Sequence, residues 1–249
     1  MKRKLIVLMG LDGSGKSTQA QILANWLREQ SIVTEVVWMR GESYLTLPLL
    51  KIAKALLRAP KGTKRGGAVG EAAPAGGVAG AEAAGGRAGD DAVRDHYTKY
   101  VRSKRSLFKN RLVRAIWRNL VLFDFFITFK VAFAKLPKDA RVVILDRYVY
   151  DSLIDIDSGF GSGGAEVRRL LRSRLIRFFP RPDKVVLIEI APDIAMRRKD
   201  DIPSMEYLEE RHGLYRMIAG EVKGTIVDGS RSIDEVRASI IDAAKGAIR

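Results

Sequence analysis

The sequence predicts an α/β fold in which a mostly parallel five-stranded sheet is flanked by helices on both faces. Three observations lead there. Short apolar runs bounded by turn residues alternate with segments of helical spacing, the pattern of parallel strands joined by crossover helices. The first of these runs passes through a glycine-rich turn directly into a helical pattern. A chain of 249 residues suffices for one sizeable core, whereas two cores would leave each half small, so residues 1–249 read as one domain.

Leu5 to Met9 is the first expected strand, and Gln19-Ala20-Gln21-Ile22-Leu23-Ala24-Asn25-Trp26-Leu27 belongs to a helix that starts near Lys16. Glu35 to Met39, Val142 to Leu145, Val185 to Ile190 and Thr225 to Val227 are the other strands. Ligands of such a sheet lie beyond the carboxyl ends of its strands. Pro60 to Asp91 breaks the alternation: it takes ten of the chain's 23 glycines, is otherwise rich in alanine and has almost no large apolar side chain. Such a composition cannot bury enough surface to offset its ordering entropy, so residues 60–91 read as a flexible surface insertion. Arg94 to Arg118 is a basic helical stretch with Tyr97, Tyr100, Phe108 and Trp117 interleaved. That pattern could suit nucleic acid, but a solvated helix with its aromatics packed inward accounts for it better. Leu120 to Leu136 is the most apolar stretch, yet it contains Asp124 and Lys130 and falls short of the ~20 clean residues of a membrane span. A buried central helix is expected there.

With 44 basic and 29 acidic side chains the chain carries +15, a field that attracts polyanions without choosing among nucleotides, nucleic acid and anionic membrane. Cysteine is absent, and His96 and His212 are the only histidines, which excludes a disulfide framework and thiolate or histidine-rich metal sites. The composition fits a reducing cytoplasm, and the scarcity of Asn and Gln beside so many charges fits a chain that must survive heat. The basic start, Met1 to Lys4, superficially resembles a signal peptide. Asp12 and the glycine turn interrupt the following apolar run too early, and no small-residue cleavage site follows.

Gly10-Leu11-Asp12-Gly13-Ser14-Gly15-Lys16-Ser17 satisfies G-x-x-x-x-G-K-[ST] and lies between an expected strand and helix, the context that a phosphate-binding P-loop requires. Gly10, Gly13 and Gly15 let backbone N–H groups curl around an anion, with Asp12, Ser14 and Thr18 completing the loop and the helix start. The helix N-terminus adds its positive dipole end. Lys16 would place a charge on the β and γ phosphates and Ser17 a hydroxyl on Mg²⁺, so the expected cofactors are ATP and Mg²⁺. A second informative stretch is Val142-Val143-Ile144-Leu145-Asp146-Arg147-Tyr148-Val149-Tyr150-Asp151-Ser152. Its strand ends in Asp146, placed to orient a metal ion or its waters. Arg147 follows at the same sheet edge, where it could meet an acceptor phosphate.

GLDGSGKSTQ together with LDRYVYDS resembles the thymidylate kinases, which pair a loop of the type GxDGxGKST with an aspartate-arginine-aromatic motif. The similarity continues through Arg181 to Ala195 and through Ile226 to Val236, and spares roughly Leu45 to Leu112. The resemblance implies a P-loop three-layer α/β/α fold and ATP-dependent transfer of a phosphoryl group to a nucleoside monophosphate, dTMP to dTDP, within nucleotide biosynthesis. By that resemblance Asp12 sits near the acceptor sugar, Arg40 and Arg147 grip the acceptor phosphate with Tyr148 beside them, and Arg197 or Arg198 begins a lid segment, residues 197–211, whose cations include Lys199 and Arg211. Arg198 is the expected catalytic lid arginine beside Lys16, Arg147 and Asp12. Two departures touch base recognition. Asp124-Phe125 stands where the family has a base-reading arginine, and Asp155-Ile156 replaces its tyrosine and glutamine. Phe125, Phe126, Tyr148 and Tyr150 could stack on a ring, although core packing explains the phenylalanines equally well.

Two other readings stay open. A kinase of a nucleoside, sugar or other alcohol would need a carboxylate base, for which Asp12, Asp151 or Asp155 are candidates. A basic nucleic-acid-binding ATPase would use residues 94–118. The expected partner is a small nucleotide, with no nucleic acid and no membrane; the oligomeric state is open, a homodimer included.

Overall fold

The computed structural model describes residues 3–39, 108 and 110–248. Arg40, the insertion at 60–91, most of the basic stretch 94–118 and both Tyr97 and Tyr100 lie outside these residues.

Strands β1 (Lys4–Met9), β2 (Thr34–Trp38), β3 (Val142–Asp146), β4 (Lys184–Glu189) and β5 (Thr225–Asp228) form one sheet in the order β2-β3-β1-β4-β5, every neighbouring pair parallel. Among the described residues seven helices flank it: α1 (Lys16–Glu29), α2 (Arg111–Ala134), α3 (Val149–Phe160), α4 (Ala165–Leu171), α5 (Pro192–Arg198), α6 (Met205–Glu221) and α7 (Ile233–Ile248). The central strands are apolar throughout because both of their faces are covered. Alternate residues divide between two cores. Ile6, Leu8, Ile144, Val186 and Ile188 pack under α1 and α7. Leu5, Val7, Val143, Leu145 and Leu187 pack under α2, α3 and α6 on the opposite face. The result is three layers, as the sequence predicts.

β1 is central, with β2 and β3 to one side of it and β4 and β5 to the other. The crossovers reverse there, so a crevice opens beyond the carboxyl ends of β1, β3 and β4. Register brings the functional stretches together: Asp146 lies opposite both Leu8 and Trp38, placing it level with the start of the glycine loop.

The helix expected over Leu120 to Leu136 differs from the expectation in two ways. It is the continuation of a single 24-residue helix beginning at Arg111, capped by the Asn110 side chain on Leu112 N, and only one face is buried, through Leu122, Asp124, Phe125, Thr128 and Phe129. Of the basic residues in its first turns Arg111 is exposed, as a solvated face requires, whereas Arg114 and Arg118 turn toward neighbouring elements. Arg114 lies 4.7 Å from the Phe160 ring centroid and donates to Ser162 Oγ at 3.0 Å, and Arg118 reaches Glu166 at 3.3 Å. The aromatics here do turn inward, Phe108 packing on Trp117 and Phe160. The α3–α4 corner is held by Asp157, fully buried, whose carboxylate accepts from the backbone N–H of Gly164, Glu166 and Val167 at 2.7, 2.9 and 3.2 Å. A carboxylate capping a helix start in this way satisfies donors that would otherwise be orphaned.

Candidate functional site

The loop between β1 and α1 is built around glycines whose backbone no other residue would hold at comparable cost. At Gly10 (φ 151°) a Cβ would sit 2.4 Å from the Ile188 carbonyl oxygen and 2.9 Å from Ser14 Oγ; at Gly13 (φ 84°) it would meet Ala195 O at 3.1 Å. Gly15, left-handed at φ 84°, starts α1 without any side-chain cap, and a Cβ there would enter open space. The first-turn amides of α1, which have no intrahelical acceptors, therefore remain for a ligand. Gly10→Ala is expected to cost about 3 kcal/mol in urea unfolding, from overlap plus strain, whereas Gly15→Ala loses only ~1 kcal/mol of stability.

Lys16, 6% exposed, folds back over the loop: its Nζ donates to Leu11 O at 2.6 Å and lies 3.4 Å from Ser14 Oγ. Burial pulls its pKa down to about 8; repulsion from Arg147 adds to this, against attraction from Asp12, Asp151 and Asp146. Between about pH 8 and 10.5 the unfolded chain holds a proton that the folded protein has released, so stability rises with pH across that window and is flat below it with respect to this group. In ligand-free, chelator-treated protein Lys16→Met is thus expected to be more stable than the parent near pH 7. By about pH 9.5 the gap narrows by roughly 2 kcal/mol, read from paired urea melts.

Ser17 opens toward solvent and donates to Asp146 Oδ2 at 2.5 Å, while Thr18 is exposed beside it. Asp146 is buried, and its Oδ1 has no hydrogen-bond partner. An orphaned carboxylate oxygen next to a hydroxyl, at the foot of an anion-binding loop, matches what Mg²⁺ takes from proteins: one carboxylate plus hard oxygens, the rest from phosphates and water. Among the described residues no group of three or more acidic or histidine side chains forms a fuller metal cage.

Arg147 leaves the end of β3 with φ 75°, an uncommon backbone for an arginine and a point of stored strain. Its guanidinium pairs with Asp12 through Nη2 and with Asp151 through Nη1 at 3.3 Å. Burial works against the Arg147 charge, but Asp151, Tyr215 and Asp12 outweigh it and raise its pKa above the ordinary arginine value. Burial likewise works to raise the Asp12 pKa, but Arg147, Lys16 and Lys199 hold it below the usual carboxylate range. Asp151 also accepts from Tyr148 N at 3.0 Å and from Tyr215 Oη at 2.6 Å. One step along α3, Asp155 pairs with Arg211, whose guanidinium lies 4.3 Å from the Tyr207 ring centroid. Burial would lower the Arg211 pKa, but Asp155 leads the groups that carry it well above normal, and Arg211 Nε is buried without an acceptor.

The structure therefore gathers Gly10, Asp12, Gly13, Ser14, Gly15, Lys16, Ser17, Asp146 and Arg147 at one sheet edge. Tyr148 is not brought there. It is 1% exposed, its ring packs among Phe125, Phe129, Tyr150 and Phe179, and its hydroxyl donates to Pro180 O at 2.5 Å. Its place, like that of Phe125 and Tyr150, is in the core. Arg198 stands beside the loop, its Cβ 3.5 Å from where a Gly13 Cβ would be, with Nη1 on Gly229 O at 3.1 Å. Arg197 and Lys199 pair with Asp193 and Asp201 at 2.9 and 3.1 Å. The stretch 197–211 is not one free segment: Ser204 caps α6 by accepting from Tyr207 N, and Leu208 is fully buried. Tyr207 and Tyr215 escape sequence reasoning. Their signal was the spacing 207, 211, 215 on α6 facing 151, 155 on α3, two sets of i,i+4 positions that meet as rungs.

No protein-family model matches the chain.

Proposed function

We propose that this protein is an Mg²⁺-dependent, ATP-using kinase of the thymidylate kinase type, whose acceptor is a nucleoside monophosphate and, by the sequence resemblance, dTMP. The observation that carries the reading is one juxtaposition at a single sheet edge: a buried, loop-bound Lys16, an orphaned Asp146 oxygen and the Arg147–Asp12 pair. The loop amides and Lys16 would hold the polyphosphate, and Arg147 would present a second anion to it. Ser17 and Asp146 would hold Mg²⁺, which when bound offsets charge on the phosphate oxygens. Arg198, whose Cβ stands beside Gly13, would add a cation on leaving Gly229 O.

The state of Asp12 favours an anionic acceptor over an alcohol. A carboxyl held below its ordinary pKa by Arg147 is a weak base, whereas a monophosphate oxygen is already anionic and needs none. An incoming phosphate would compete with Asp12 for the guanidinium, a bidentate donor suited to either. The test is ADP release with Mg·ATP against a panel of nucleoside monophosphates, nucleosides and phosphosugars. Turnover confined to monophosphates supports the reading. Turnover confined to alcohols, or with none of the panel, refutes it.

A further inference from the structure

We propose, resting on the kinase reading above, that Tyr215 is a positioning residue of the acceptor site. Its hydroxyl pins Asp151, so that Arg147 keeps the edge of its guanidinium that now faces Asp12 for the acceptor's phosphate.

Arg147 stands between two carboxylates: Asp12 takes Nη2, and Asp151 Oδ1 takes Nη1 at 3.3 Å. Once an incoming phosphate displaces Asp12, Asp151 is the carboxylate left to orient the guanidinium. A carboxylate able to rotate would be a poor guide, because it could turn both oxygens onto the guanidinium and take the two-pronged contact that a phosphate needs. Asp151 is held against such a turn. Its Oδ2 accepts from Tyr148 N at 3.0 Å, a bond that also caps the start of α3, and its Oδ1 accepts from Tyr215 Oη at 2.6 Å. On Oδ1 the tyrosine contact is the short one and the arginine contact the long one, so the hydroxyl sets where this oxygen sits.

Tyr215 lies within α6, 2% exposed, with Leu214 and Ile218 buried beside it in the same core, so the place of its ring is fixed by packing. Burial, then the Asp151 charge, push its pKa well above the ordinary tyrosine value against the pull of Arg147 and Arg211, and the hydroxyl stays a donor. One turn earlier on α6, Arg211 pairs with Asp155, one turn further along α3, and this second rung fixes the rotation of one helix against the other. That ion pair alone would serve as a clasp between helices. The Tyr215 rung differs in ending on the carboxylate that holds Arg147.

The test is Tyr215→Phe, which keeps the ring and removes only the hydroxyl. With dTMP as acceptor, or the monophosphate of the panel that turns over best, the acceptor KM should rise about tenfold, the worth of a hydrogen bond to a charged group. The KM for ATP should change by less than about twofold. The urea midpoint should fall too, and a cycle with Arg147→Ala separates the two effects. In that background loss of the hydroxyl should leave acceptor kcat/KM unchanged, because it acts through the guanidinium, yet should still lower the midpoint. An acceptor KM unmoved by Tyr215→Phe, or an acceptor kcat/KM that falls equally in both backgrounds, would overturn the proposal and leave the kinase reading standing. A parent that turns over no monophosphate would refute that reading and this proposal together. Should Tyr215→Phe fail to fold, a crystal structure of the parent with dTMP decides. The expected complex has the dTMP phosphate on Arg147 Nη2 in place of Asp12, with Tyr215 Oη still on Asp151 and Asp151 still on Nη1. A complex in which Asp151 has turned away from Tyr215 would overturn the proposal.

Discussion

Lys16→Ala is expected to lower the rate of phosphoryl transfer by about 10³-fold or more with the protein still folded. The size follows from the environment. The ammonium group is buried, held by Leu11 O in the absence of ligand, and set at the start of a helix whose first-turn amides have no other acceptor. A charge fixed in so dry a place is already oriented before negative charge shifts on the phosphoryl group, which is where preorganised electrostatics contribute most. Its removal also relieves a buried charge, so stability should not fall. Lost turnover with unchanged or higher unfolding midpoints therefore separates a catalytic role from a structural one, whereas retained turnover would remove the loop from the chemistry.

Arg147→Ala is the second large effect. Acceptor kcat/KM should fall about 10³-fold, whereas ATP affinity changes by less than about threefold, because the guanidinium reaches Asp12 and Asp151 rather than the loop's anion-binding amides. The same change strips a partner from two half-buried or buried carboxylates, and about 3 kcal/mol of stability should be lost with it. Arg147→Lys keeps the charge but not the two-pronged geometry, so it should restore most of the stability and little of the acceptor use. Steady-state kinetics with each substrate varied in turn, beside urea melts, would read both quantities. An unchanged acceptor kcat/KM in Arg147→Ala would place the acceptor elsewhere.

The strands were legible in the sequence because a strand covered on both faces must be apolar at every position. Leu5–Met9 and Val142–Leu145 were each read to within a residue of β1 and β3. The glycine loop was legible because its backbone demands particular residues at fixed spacing. Harder to see was α2, whose composition changes from basic to apolar within one unbroken helix. Arg114 and Arg118 reach sideways to Ser162 and Glu166, contacts between distant parts of the chain that no local pattern encodes. Tyr148 misled for a related reason. It adjoins Arg147 in sequence, but its backbone is extended as α3 begins, and its ring turns into the aromatic core. The rungs joining α3 to α6 are not legible in the sequence because each half is an ordinary i,i+4 pattern, and the meaning lies in their alignment.

The most direct test of the central claim, that one sheet edge holds a polyphosphate and a second anion side by side, is a crystal structure with Mg²⁺, a non-hydrolysable ATP analogue and dTMP. The account predicts the analogue's terminal phosphates within about 3 Å of Lys16 Nζ and the α1 amides, the metal on Ser17 and Asp146, and the dTMP phosphate on Arg147. A loop without the analogue's phosphates, or an acceptor phosphate bound away from Arg147, would contradict it.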